Sequence, residues 1–369
     1  AACTSIGGIV TCSDSAYTGI NYRNTGTTTL ILNNPSMVVS TNGVSVGDGT
    51  SNYNDVTLQA NQFNAINTTA DLANGYGLAA YTKGNGTINV TGGSISTAGA
   101  NAYGIDLEIQ NTPISGKGIG VITLNNTNVR TTGGVSYGVR GFGGSYSLAP
   151  IAIDITDSTV RTTGDNSNGV SAALASPTSD SNASIAIHGN SMIETNGSTA
   201  YGVFTQTKSG LNIISIDKDT RVITHGAGSS AVVAFCRDKP TNVIFYGGVL
   251  ITNAGTVVSD QAIGVYAIGG DRGVTIVNTG TITAKLQGIS VLDSAYGVIE
   301  RGGFINISSD GNITAGSTGI LSQLSTTGFT TITTSGIIKG LSQAGISATN
   351  KTNKSTDLNI TQTTGSIEG

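Results

Sequence analysis

The 369-residue chain contains no tryptophan, five prolines, two methionines and three cysteines, and only 10% of its residues are charged. Glu, Lys, Arg, Gln and Met, the straight-chain helix formers, are all scarce, which argues against a helical bundle. No apolar run approaches the ~18 residues that a helix needs to cross a bilayer. The net charge is −4, and no strongly basic face of the kind that general nucleic-acid binders carry stands out. There is no Walker loop and no Gly-Gly-x-Gly-x-Asp calcium nonapeptide. With two histidines and no Cys or carboxylate cluster beside them in sequence, a transition-metal site is not expected.

What fills the chain instead is glycine, 53 residues of it, with Thr, Ser and Asn at polar positions and Ile and Val at apolar ones. β-Branched residues suit a pleated surface, and Gly and Asn suit tight turns, so an all-β chain with many turns is expected. The chain opens Ala1-Ala2-Cys3 without an initiator Met. Small residues of this kind flank signal-peptide cleavage sites, so a mature exported protein is expected. At the other end, Leu358 to Gly369 stop inside a repeat, and a further C-terminal part is expected to follow. Cys3 and Cys12 are expected to close a small disulfide loop in an oxidising compartment. Cys236 shares a face with Val232 and Ala234 and reads as a small buried hydrophobe.

Repeats dominate the organisation. An apolar alternating triplet, a polar turn, an Ile or Val and then a Thr-x-Gly variant recur along the chain. The unit appears at Ile31-Leu32-Asn33-Asn34 with Val38, and at Ile88-Asn89-Val90 with Ile95. It returns at Ile122-Thr123-Leu124 with Val129, at Ile153-Asp154-Ile155 with Val160, and onward to Leu358-Asn359-Ile360 with Ile367. Between these segments lies a second anchor, fullest as Tyr76-Gly77-Leu78, Tyr103-Gly104-Ile105, Tyr137-Gly138-Val139 and Tyr201-Gly202-Val203. Its degenerate copies run from Gly19-Ile20 to Gly345-Ile346, so the period is roughly 30 residues, within the range of solenoids, propellers and arrays. Each period holds three short apolar-alternating stretches. A propeller blade needs four strands, and a leucine-rich repeat shows a different spacing.

The expected fold is therefore all-β: a right-handed parallel β-helix, or solenoid, of about 12 three-strand coils. Residues 1–18 are expected to form an N-terminal cap and residues 19–369 the solenoid. Inward Ile, Val and Leu are expected to stack on like residues one coil above and below. At about 4.8 Å per coil the rod would be roughly 55–60 Å long. The anchor glycine is expected to supply either a backbone conformation closed to other residues or a close approach between coils.

Catalytic signals are thin. Gly43-Val44-Ser45-Val46-Gly47 and Gly134-Val135-Ser136-Tyr137-Gly138 match a nucleophile-elbow string. Both end on the repeat's own glycine and no helical pattern follows either, so they read as products of the repeat. His188 and His225 fall in or just after polar turns. A polysaccharide-active β-helix needs paired carboxylates on one face, or Asp ligands for Ca²⁺ with a basic residue. Asp106, Glu108 and Lys117 are near enough in sequence for such a site, although solvated charges on an exposed strand are the simpler reading. Asp154 and Asp157 lie on another strand.

The repeats vary mainly in the connection between the strand after the glycine anchor and the next Ile-x-Ile strand. Insertions at one point of a solenoid project from one edge, often the binding edge. Basic residues gather there, among them Lys117, Arg140, Lys208, Arg237, Lys239 and Arg272. These six are the candidate edge for an acidic partner, such as a glycan or a receptor.

The Ile-x-Ile repeat, the Tyr-Gly-Val/Ile anchor, the low Cys and Trp content and the start of the chain together resemble the passenger domain of bacterial autotransporters (type V secretion). The resemblance spans nearly the whole chain but rests on repeat pattern, not on a catalytic motif. It implies a right-handed β-helix exported across the outer membrane by a C-terminal translocator barrel outside this sequence. It further implies a secreted or surface-exposed monomer without enzymatic activity, metal or cofactor, acting as an adhesin or effector on a host-cell protein or acidic glycan. The Tyr-Gly-rich, Ser/Thr/Asn-rich style also resembles Bartonella passengers, some of which are released as pro-angiogenic ligands of endothelial receptors. A β-helical polysaccharide-active enzyme is the alternative expectation, and a structural stalk or tailspike-like fibre the next.

Overall fold

The computed structural model describes residues 2–40, 42–47, 54–68, 75–110, 118–145, 147–176, 179–236, 247–293, 303–324, 328–350 and 357–369. Among these residues every regular element is a β-strand. The strands fall in turn into three sheets of 14, 12 and 13 strands. We call these the first, second and third sheets in the order in which a coil visits them: Ile122-type strands, Val129-type strands and Val139-type strands. The 14-stranded sheet is thus the first, the 13-stranded the second and the 12-stranded the third. Every strand but Thr4–Ile6 pairs in parallel with its counterpart one coil away, which makes the chain a β-solenoid, as the period of the repeats implies.

Alternation with period two places one set of side chains inside each strand and the other outside. In strand Ile151–Thr156 the pattern buries Ile151, Ile153 and Ile155 and leaves Ala152, Asp154 and Thr156 half-exposed. In-register pairing then turns each inward position into a ladder. One ladder of the first sheet runs Val10, Leu30, Leu58, Ile88, Ile122, Ile153, Ile185, Ile214, Ile251, Ile276, Ile307 and Ile332. Burying one such side chain contributes about 1.5–3 kcal/mol.

Two details differ from the expectation. In the first coils the inward residues are Leu30 and Leu32 of strand Thr29–Leu32, and Met37 and Val39. Ile31 and Val38 face outward. The interior is also not uniformly aliphatic. The ladder that carries Ile155, Ile187 and Ile216 continues as Asn253, Asn278, Ser309 and Thr334, all buried. Asn253 Nδ2 donates to Asn278 Oδ1 at 2.8 Å, and Asn278 Nδ2 donates to Ser309 Oγ at 3.1 Å. The two amides and the Ser309 hydroxyl thus satisfy one another where an isolated one would be costly. The second sheet has a similar row: buried Thr97, Thr131, Thr162, Thr195 and Thr224. Each donates its hydroxyl to the carbonyl five residues on, in the turn toward the third sheet.

That turn also explains the second serine string, whereas Ser45 of the first stands on strand Val44–Gly47 and faces outward. Ser136 is fully buried. Its Oγ donates to Gly99 O at 2.9 Å and accepts from Ala102 N at 3.1 Å, and Ser167 and Ser229 repeat the arrangement in their own coils. The same turn holds Asn101, Val135, Asn166 and Thr199 at φ values of 53°, 53°, 54° and 52°. Asn tolerates this left-handed conformation; the β-branched Val135 is strained in it.

The anchor glycine follows. Of the two roles foreseen for it, the structure supports close approach. A Cβ on Gly138 would lie 2.2 Å from Val160 Cγ1 and 2.7 Å from the carbonyl oxygen of Gly169 on the next coil. Gly104, Gly169 and Gly202 meet the same two obstacles.

At the N-terminal end, Thr4–Ile6 pairs antiparallel with Ile9–Cys12, and Cys3 is disulfide-bonded to Cys12. Ile9–Cys12 and Ala16–Tyr17 already pair in parallel with the next coil, so Thr4–Ile6 is the strand of residues 1–18 that departs from the coil pattern. It covers the outer edge of the first strand, an edge that otherwise presents unpaired backbone groups. Gly138→Ala should destabilise the rod by about 1–3 kcal/mol or more through overpacking against the neighbouring coil. Gly134→Ala, whose Cβ would meet nothing closer than 3.9 Å, should be nearly neutral. Urea unfolding midpoints of the two variants check this, and equal shifts would rule out the close-approach reading.

Candidate functional site

The outer face of the third sheet carries the densest set of aromatic and charged groups among the described residues. Strand Ile105–Ile109 turns Ile105, Leu107 and Ile109 inward, which leaves Asp106 and Glu108 on the outer face. Strand Val139–Gly143 likewise turns Arg140 and Phe142 outward, and in-register pairing sets Arg140 opposite Asp106 and Phe142 opposite Glu108. Arg140 Nε lies 2.9 Å from Asp106 Oδ1, without the linear geometry of a hydrogen bond, and Arg140 Nη2 lies 3.3 Å from Glu108 Oε2. The guanidinium also sits 4.6 Å from the Tyr103 ring centroid and 4.9 Å from that of Phe142. Asp106 is fully buried beneath these side chains.

Burial raises the Asp106 carboxyl to about 6, because desolvation outweighs the attraction of Arg140. Tyr76 and Tyr81 are raised from the ordinary phenol value, first by burial and then by the Asp106 charge, so both stay neutral.

The tyrosines of the anchors line up coil over coil. Tyr76 stacks on Tyr103, and Tyr103 on Tyr137, each pair with centroids 5.3 Å apart and planes inclined by 23°. Asn168 takes the tyrosine's place in the next coil, where its Oδ1 accepts the Tyr201 backbone N–H at 2.9 Å. Beyond it the aromatics resume. Tyr201 lies 5.7 Å from Phe204, Phe204 lies 6.0 Å from Phe235, and Phe235 lies 5.1 Å from Tyr266, the last two pairs edge to face. These four rings are half-exposed. Aromatic pairs of this geometry add about 0.5–1.5 kcal/mol beyond their buried area.

At the N-terminal end of the same face lies a cleft of about 860 Å³. Its rows follow from register: Asn21, Ser45, Ala79 and Asp106 form one, and Arg23, Gly47, Tyr81 and Glu108 the other. Gly47 has no side chain, so Arg23 reaches across it and lays its guanidinium 4.0 Å over the Tyr81 ring. The residues Arg23, Asn21, Tyr81 and Gln110 escaped the sequence reading. Their common signal is position: three of them occupy the strand after the glycine anchor, which becomes visible only once the coils are in register.

A second feature joins groups that are dispersed in sequence. His188 lies between two carboxylates from neighbouring coils, with Nδ1 2.7 Å from Asp217 Oδ2 and Nε2 3.6 Å from Asp154 Oδ2. His225 likewise lies between Asp260, 2.6 Å from Nδ1, and Glu194, 3.1 Å from Nε2. Arg161 Nε pairs with the other Glu194 oxygen at 2.8 Å. The hydrogen bond to Asp217 is the main cause that raises the His188 imidazole above its ordinary value. For His225, partial burial pulls downward but the bonds to Asp260 and Glu194 prevail, and its value too is raised. No group of three His, Cys, Asp or Glu among the described residues is arranged to hold a metal ion.

Of the expected partner-binding edge, Lys117, Arg237 and Lys239 lie outside the described residues. Lys208 and Arg272 occupy the same corner of the solenoid, in the turns after strands Val203–Thr207 and Val265–Gly269; Lys208 is half-buried and Arg272 exposed. Arg140 stands instead on the sheet face with its charge compensated by Asp106 and Glu108. Cys236 is buried and forms no disulfide, its Sγ donating to Gly248 O at 3.4 Å. The chain matches no protein-family description, no curated protein and no solved structure.

Removing Arg140 leaves the buried Asp106 without its counter-charge. Arg140→Ala should cost about 3–5 kcal/mol at neutral pH, and less at pH values well below 6, where Asp106 is protonated. Urea titrations at the two pH values measure both. In the wild type the folded state holds an Asp106 proton that the unfolded chain releases. This group's contribution to stability therefore falls as pH rises from the ordinary aspartate value of 3.8 toward about 6. The histidines titrate higher. Raised imidazole values mean that their stabilisation is present at acid pH and is lost as pH rises through the folded values, above the ordinary 6.5. The decline in melting temperature from about pH 6 to about pH 9 should be smaller in a His188→Gln/His225→Gln variant. A wild-type profile equal to the variant's would discount the two bridges.

Proposed function

We propose that this chain is a non-enzymatic extracellular ligand of the autotransporter-passenger kind, a rod that engages a host-cell surface through the outer face of its third sheet. The observation that carries this reading is the half-exposed aromatic series Tyr201, Phe204, Phe235 and Tyr266 on that face. Aromatic side chains offer large contact area with little conformational freedom to lose, and they are enriched in the cores of binding surfaces. A face that served only to be wetted would be filled with Thr, Ser and Asn, as the outward positions of strand Gly86–Thr91 are, with Thr87, Asn89 and Thr91.

Binding is a better reading than glycan cleavage because the two carboxylates nearest the cleft are already engaged. Asp106 is inaccessible beneath Arg140, and the Glu108 oxygens are taken by Arg140 and by Gln110 Nε2. A hydrolytic pair needs both carboxyl groups open to the sugar.

The purified chain, applied to endothelial and epithelial cells, should bind saturably. Phe204→Ser/Phe235→Ser should weaken that binding by at least about tenfold if the rings are the anchors, since such anchors are worth 2 kcal/mol or more. The variant's melting curve reports whether the rod is intact. Undiminished binding by an intact variant would remove the aromatic face from consideration, and release of oligosaccharides from acidic polysaccharides would favour the enzymatic alternative.

A further inference from the structure

We infer that the cleft at the N-terminal end of the third sheet is a binding site for a carboxylate-bearing saccharide, with Arg23 as the residue that reads the carboxylate. The inference rests on the reading that this face is the working face, and it names a ligand class for one part of it.

Charge selects the first half of that assignment. Glu108 lines the cleft, but its two oxygens already accept from Arg140 at 3.3 Å and from Gln110 Nε2 at 3.2 Å, so both are held by side chains of the sheet. Arg23 is exposed, and its guanidinium is fixed 4.0 Å over the face of Tyr81. A cation over a ring face is held by the ring quadrupole and keeps its N–H groups at the rim, directed sideways. A guanidinium fixed in this way is ready for a planar, bidentate acceptor, and a carboxylate fits that fork.

The neutral groups select the second half. Asn21 Oδ1 accepts from Ser45 Oγ and from the Arg23 backbone N–H, both at 3.0 Å. The Asn21 amide is thereby fixed with its NH₂ left to donate. Gln110, whose NH₂ is given to Glu108, retains its carbonyl oxygen to accept. Preset donors and acceptors around one cation suit a ring that carries several hydroxyls beside its carboxylate. An acidic peptide would use the cation but leave these amides without partners, at a cost.

Titration calorimetry with hexagalacturonate, its fully methyl-esterified form and a hexa-aspartate peptide tests this. Hexagalacturonate should bind, and methyl esterification should weaken it by at least about tenfold, as should Arg23→Gln, the loss expected for one charge-assisted hydrogen-bonded contact. An unchanged melting temperature shows that the variant is folded. No binding of hexagalacturonate, equal binding of the ester, or an undiminished Arg23→Gln variant would overturn the assignment. Hexa-aspartate binding as tightly as hexagalacturonate would also overturn it, in favour of an acidic peptide. Because purified saccharides are used, such a failure is distinct from failure of the cell-binding reading, which the Phe204→Ser/Phe235→Ser variant tests by itself.

Discussion

Each coil sits on the next at the hydrogen-bonding distance of a parallel sheet, about 4.8 Å, so whatever stands at a given position must tolerate the same position above and below. That single constraint accounts for most of the molecule. In the ladder that begins at Val10, Ile stacks on Ile through nine successive coils from Ile88 to Ile332, and the anchor glycine recurs because a carbonyl of the next coil occupies the space where its Cβ would lie. No coil can bury its own apolar side chains, so the stability of each depends on its neighbours.

Stacking also makes polar interiors tolerable. A single buried Asn would be a liability, but Asn253 above Asn278 above Ser309 forms a chain in which one member's donor meets the next member's acceptor. The threonine row of the second sheet works differently, each hydroxyl closing the turn within its own coil. Both devices answer the same demand, that a buried polar group have a partner.

On the outside, stacking concentrates chemistry. Charges and rings far apart in sequence become neighbours at one strand spacing, as Asp106 with Arg140 and His225 with Glu194 and Asp260. A missing side chain is as consequential as a present one, since Gly47 is what lets Arg23 reach Tyr81. The outer face of the third sheet thereby acquires a cleft with a fixed cation at one end and a run of half-exposed rings farther along.

The three-strand repeat and the position of its anchors were legible in the sequence, because alternation and recurrence are local patterns that survive without coordinates. Burial of Ile122, Ile153 and Ile185 followed directly from them. The phase of the first coil was not: Leu30 and Leu32 point inward, while Ile31, equally apolar, points out, and only pairing with Leu58 and Ala60 decides between them. Nor was the site legible. Register across coils depends on the lengths of the connections, which vary, so no spacing in the chain announces that Arg23, Tyr81 and Glu108 share a row, or that Asp106 lies beneath Arg140. The sequence alone determined that the chain stacks. The tertiary structure alone decided which outward side chains meet, because contacts between coils are set by backbone hydrogen bonding and not by distance along the chain.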